Sequence, residues 1–95
     1  MNTFLDSQTS LRADKYIVDS REEHELCADM GYFPSGLPQI AYELGEILAG
    51  LKPGREHADE LIVDSNIVMA VCDVVVARKV FERSMERGIG QRLTL

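Results

Sequence analysis

The chain has 95 residues, 45% of them hydrophobic and 27% charged, and a formal net charge of −6. This is the balance of one small globular domain, which excludes a disordered chain. The acidic excess, with no basic cluster to offset it, excludes nucleic acid as the main partner, and the longest apolar run is too short to span a bilayer.

Residues 1–14 are polar and weakly patterned. Phe4, Leu5 and Leu11 can touch a core, through one short helical turn at most. The opening MNTFLDSQTS has neither a basic region nor an apolar core, so it does not read as a signal peptide. Residues 15–19, KYIVD, form a short apolar run that ends in an acid. Such a run, without alternation, is how a strand covered on both faces of a parallel sheet reads. Ser20 with Glu23 three residues on is a capping box, and it predicts a helix from Arg21 to Met30 that ends at Gly31. Leu26, Cys27 and Met30 are expected inward on that helix. His24 falls in its first turn and reads as a surface residue, as does His57 in a polar loop.

Residues 31–37, GYFPSGL, form a loop in which Tyr32 and Phe33 are expected to anchor packing. Pro38 suits the first turn of a second helix. Ile40, Leu44, Ile47 and Leu48 then give an i, i+4, i+7, i+8 stripe, and Gly50 closes it. Gly45 in the middle of that helix implies a backbone packed closely against it. Pro53-Gly54 marks a turn within a link over 51–58.

Residues 60–63, ELIV, are expected as the second strand. Asp64, Ser65 and Asn66 can each cap the helix that follows. That helix is long and ends at Gly88. Its first half, Ile67 to Ala77, carries one charged residue, Asp73. Its second half is two-faced, with Arg78, Lys79, Glu82, Arg83, Glu86 and Arg87 on one side and Ala77, Phe81 and Met85 on the other. Arg83 and Arg87 suit the negative end of its dipole. The run AVCDVVVA is also rich in β-formers, but the charge periodicity beyond it favours helix. A helix apolar all round needs cover that so short a chain does not supply, so its first half is expected in an interface. The closing QRLTL reads as a short edge strand.

The chain lacks most catalytic signatures. Gly88-Ile89-Gly90 is a helix stop and not a dinucleotide loop, and no P-loop, HExxH, GxSxG or metal-ligand cluster occurs. Cys27 and Cys72 have no CxxC spacing and read as reduced thiols in a cytoplasmic protein. Asp73, a lone carboxylate among apolar residues, is expected to be buried with a partner. The turn at Asp64-Ser65-Asn66 joins hydrogen-bonding side chains to a helix start, which serves capping or a ligand equally well.

The order of three stretches goes further. ADKYIVDS, then AYELGEILAGLKPGR, then DELIVDSNIVMAVCDVVVARKVFERSMERGIG resembles the C-terminal part of the ornithine cyclodeaminase/μ-crystallin family, over about residues 12 to 95. The resemblance implies an α/β piece of a Rossmann-containing, two-domain enzyme, with two short strands and three helices. Residues 1–50 would end the dinucleotide-binding domain, and 51–95 would belong to the dimerisation and substrate domain. Members are homodimeric, cytosolic, NAD(P)-dependent enzymes of amino, imino and keto acids, among them cyclodeaminases, an alanine dehydrogenase and ketimine reductases.

By the same resemblance Ser65 and Asn66 face the nicotinamide and Ile67 the substrate. Val68 stands where the family has a glycine, which adds bulk near the site. The family's GxGxxG loop, its substrate-binding arginine and lysine and its catalytic aspartate all lie upstream of the matching segment, and Asp6 is not that aspartate. The chain alone is therefore expected to bind no dinucleotide and to turn over no substrate. The alternative is a non-catalytic dimerisation or interaction module left from such an enzyme. The partner implied is a second copy of the chain, through the long helix, or the N-terminal portion of the enzyme.

Overall fold

The computed structural model describes residues 6–67 and 70–94. Phe4, Leu5 and Val68 lie outside them. The described residues form three parallel strands and four helices, in the order α1 (Ser7–Leu11), β1 (Lys15–Val18), α2 (Arg21–Asp29), β2 (Ile40–Glu43), α3 (Leu44–Leu48), β3 (Ile62–Ser65) and α4 (Ala70–Arg87).

β1 is the centre of the sheet, whose order is β2-β1-β3. All four of its residues are buried, as the unbroken apolar run predicted. Tyr16 and Val18 pack with Val63 from β3, and Ala13, Leu37 and Ile40 close the cluster. Ile17 points to the other face and is also buried. The register pairs Val18 with Glu43 on one side and with Ser65 on the other, so all three strands end at one edge.

The capping of α2 is half as predicted. Ser20 Oγ accepts the Glu23 amide at 3.3 Å. The Ser20 amide, however, donates to Asp19 Oδ1 and not to Glu23. Glu43, at the end of β2, accepts the Arg21 amide at 2.8 Å and so ties the start of α2 to the neighbouring strand. At the other end, Gly31 takes φ 85°, and the Tyr32 amide closes back on the Cys27 carbonyl. That reversal needs the left-handed region, where glycine has no Cβ to clash.

Several sequence expectations need correction. The single helix over 38–49 is a strand, β2, followed by the short α3. Ile40 does face the core, but as a strand residue, because an apolar run of this length suits either element and the open edge of β1 decides it. Glu43 then starts α3, its amide bonded to Glu46 Oε2. Gly45 has no close neighbour: a Cβ built there meets nothing within 4 Å. β3 begins at Ile62, so Asp64 and Ser65 are strand residues and not helix caps. Leu26 and Met30 are exposed, as is Tyr32, whereas Phe33 packs against His24. The C-terminal residues 91–94 form no strand.

The long helix is present, and it carries no buried residue. Only Ser84 is half-buried. Val71, Val74, Val75, Val76, Val80, Phe81 and Met85 are all more than half exposed. Asp73 is exposed in the first turn of the helix and not buried with a partner; there its charge suits the helix dipole. Gly88, at φ 63°, ends the helix, with the Ile89 amide on the Ser84 carbonyl.

One buried cation went unnoticed in the sequence. Lys15 Nζ donates to the Gly54 carbonyl at 2.7 Å and to Glu56 Oε2 at 2.6 Å, and it lies 3.1 Å from Glu60 Oε1. Asp14 Oδ2 accepts the Leu61 amide beside it. Together these bonds fasten the polar link of residues 51–61 to the start of β1 and so deliver β3 into register. The Glu56 amide, with Lys15 behind it, holds the Glu60 carboxyl down from 4.5 to about 2. The Glu56 carboxylate raises the Lys15 ammonium above its usual 10.5.

A lowered carboxylate contributes stability that is complete above its unfolded pKa and is lost as pH falls through the folded one. The chain should therefore lose stability between about pH 4.5 and pH 2. Thermal melts of Glu60→Gln should show a flatter acid limb than the parent, and an unchanged limb would remove Glu60 from this role. On the alkaline side, the Lys15 contribution is complete below pH 10.5 and is lost as pH rises past its folded value.

Candidate functional site

The strand order creates the site. From β1 the chain moves to β2 on one side and then crosses to β3 on the other. The carboxyl ends of β1 and β3 therefore flank a topological switch point, the place where open parallel sheets leave a crevice for ligands. Asp19 follows β1 at this edge, Ser65 is the last residue of β3, and the first turn of α2 lies above them. A cleft of about 380 Å³ opens instead near the amino ends of the strands, lined by Leu11, Asp14, Tyr16 and Pro38 among others. Its walls hold no cluster of groups suited to chemistry, and in parallel sheets the carboxyl edge is the ligand side.

His24 organises the carboxyl edge. The sequence placed it on the surface, but its exposure is 0%. The inward stripe of α2 is His24, Cys27 and Ala28, at i, i+3 and i+4, and not Leu26, Cys27 and Met30. A histidine and an alanine disguised that stripe, of which only Cys27 was expected inward. The imidazole stands edge-on to Tyr16, with ring centroids 6.2 Å apart, and faces Phe33 at 6.1 Å. Both of its nitrogens are engaged. Nδ1 is 2.9 Å from the Ser20 carbonyl oxygen, and Nε2 is 3.1 Å from Ser65 Oγ. Asp19 Oδ1 lies 3.7 Å from Nδ1.

Of the residues named from sequence for this turn, the structure joins Ser65 to a buried partner and leaves the other two outside. Ser65 is half-buried, with its hydroxyl on His24. Asn66 is exposed, and its Nδ2 donates to Asp64 Oδ2 at 3.0 Å. Ile67 is half-buried just beyond. His57 is exposed. Cys27 and Cys72 are both free thiols. Among the described residues no group of three or more His, Cys, Asp or Glu side chains is placed to hold a metal ion. No described helix is long and apolar enough to cross a membrane.

The described residues form an α/β unit with a three-stranded parallel sheet, polar side chains at the carboxyl ends of β1 and β3, and a helix, α4, with no buried residue. The profile of the ornithine cyclodeaminase/mu-crystallin family matches residues 2–88, and the chain belongs to that family. It is 35% identical to a Delta(1)-pyrroline-2-carboxylate reductase of Bacillus cereus, over 94% of this chain and 29% of that protein. It is 29% identical to an alanine dehydrogenase of Archaeoglobus fulgidus, over 87% of this chain and 27% of that one. Against an N-((2S)-2-amino-2-carboxyethyl)-L-glutamate dehydrogenase of Staphylococcus aureus the figures are 30% identity, 90% and 27%. The chain thus spans less than a third of the length of these relatives.

Proposed function

We propose that this chain is the C-terminal portion of an NAD(P)-dependent oxidoreductase of amino, imino or keto acids, inactive until joined to the rest of the enzyme. The observation that carries the reading is the switch point between β1 and β3, with Ser65 and Asn66 at its mouth. In this reading residues 1–50 end the dinucleotide-binding domain, and 51–95 belong to the dimerisation and substrate domain. The reductase and dehydrogenase names of the relatives favour hydride transfer over a lyase reaction. In the same reading the enzyme works in the cytoplasm, which the free thiols of Cys27 and Cys72 suit.

The residues present suit one end of a dinucleotide. The Ser65 hydroxyl and the Asn66 carboxamide can hydrogen-bond the nicotinamide carboxamide, and Ile67 offers an apolar contact to the substrate beside it. The chain has no glycine-rich loop to receive the pyrophosphate. When bound, NAD(P)H would supply the hydride; the turn at Ser65–Ile67 would orient the ring and keep water from one side of it.

A second reading, a dimerisation module without catalysis, draws on the exposed apolar length of α4. NADH titration of the purified chain by fluorescence, with its mass measured on the same sample, tests the first reading. The expected result is no saturable binding by a dimer or larger species. Saturable binding by the chain alone would overturn the claim that the rest of the enzyme is required. Adding a polypeptide that carries the glycine-rich loop and the catalytic aspartate separates the two readings. Reduction of a cyclic imino acid in the mixture supports the enzyme, and a stable but inert complex supports the module.

A further inference from the structure

We infer that His24 is a positioning residue that sets the hydrogen-bond polarity of Ser65, so that the switch point accepts from an N–H donor on its ligand. The inference rests on the reading of Ser65 as a nicotinamide contact. A carbonyl oxygen only accepts, so the bond from Nδ1 to the Ser20 carbonyl places the proton on Nδ1. In the neutral ring Nε2 is then bare and must accept. Ser65 is the group in front of it, at 3.1 Å, so the serine hydroxyl donates its one proton to Nε2. What remains on Ser65 Oγ is lone pairs.

The surroundings hold this arrangement in place. Tyr16 and Phe33 flank the ring, and no atom of the ring side chain reaches solvent. Asp19, the nearby carboxylate, is 3.7 Å from Nδ1, beyond hydrogen-bond reach, and it already accepts the Ser20 amide. Were Nε2 the protonated nitrogen, it would donate to Ser65 Oγ and leave the serine hydroxyl to donate to the ligand instead. With the proton on Nδ1 alone, Ser65 Oγ discriminates. It takes a primary carboxamide through that group's N–H and gains nothing from an isostere that lacks one.

Two measurements on the full chain test this. The first is the ¹⁵N spectrum of the His24 ring at neutral pH. The pattern of a neutral ring protonated at Nδ1 is expected; a ring protonated at Nε2, or on both nitrogens, overturns the inference. The second compares nicotinamide with 3-acetylpyridine, in which a methyl replaces the amide NH2, by the amide shifts of Ser65 and Asn66 at millimolar ligand, where a contact too weak to hold NADH on the chain alone still registers. Nicotinamide should bind about fivefold tighter, the worth of one neutral hydrogen bond. In His24→Leu the preference should vanish, because the serine hydroxyl is then free to turn. Equal binding of both probes by the parent chain overturns the polarity and leaves Ser65 as a contact. Binding of neither removes Ser65 as a nicotinamide contact, and the inference with it. If His24→Leu does not fold, the ring spectrum and the parent comparison still decide the question.

Discussion

Phe81→Asp is expected to abolish self-association of this chain at concentrations where the parent is dimeric. Phe81 is 62% exposed in the single chain, and it shares a face of α4 with Val74, Ala77 and Met85. The substitution therefore costs the isolated fold little. In an interface the new carboxylate would be buried without a partner, which costs about 3 kcal/mol or more. That is at least about a hundredfold in the dissociation constant. Sedimentation of parent and variant over the same concentration range measures it. Glu82→Ala is the control. Its ion pair with Arg78, at 3.0 Å, is on the open surface and contributes little. A parent that stays monomeric throughout, or a variant that associates as well as the parent, would remove α4 as a self-contact.

His24→Ala should be the most damaging single change at the carboxyl edge of the sheet, where α2 meets β3. It empties a fully buried site between Tyr16 and Phe33 and leaves the Ser65 hydroxyl without its acceptor. Losing a buried ring and a paired polar group together costs about 3 kcal/mol. Small domains have only about 5–15 kcal/mol in total, so the urea midpoint should fall steeply. His57→Ala, on the exposed link, should stay within about 0.5 kcal/mol of the parent. If the two variants unfold alike, His24 does not tie α2 to β3.

Parts of the fold were legible because they depend on neighbours in sequence. β1 showed in an apolar run with no alternation. Ser20 marked the start of α2, and Gly31, Gly50 and Gly88 marked where helices stop, because each signal acts within one turn of chain. The apolar character of α4 was legible too, and its valines are exposed in the single chain.

Other parts were not legible, for one recurring reason. Residues 40–43 have a pattern that suits a helix, yet β1 had an open edge, and strand pairing prevailed over the local stripe. Lys15 looked like the first residue of a strand, and only the return of the 51–61 link brought Glu56 and Glu60 to it. At the site, Ser65 was named from its place in a turn, without the neighbour that holds it. His24 looked like a charged-face residue because Glu22, Glu23 and Glu25 surround it.

The sequence by itself determined the central strand, where helices stop, the family and the apolar character of α4, since all of these follow from local chemistry and spacing. Only the tertiary structure decided that His24 and Ser65 meet. They stand 41 positions apart, and what joins them is the crossing of the chain from β2 over β1 to β3, a choice of strand neighbour that no local pattern encodes.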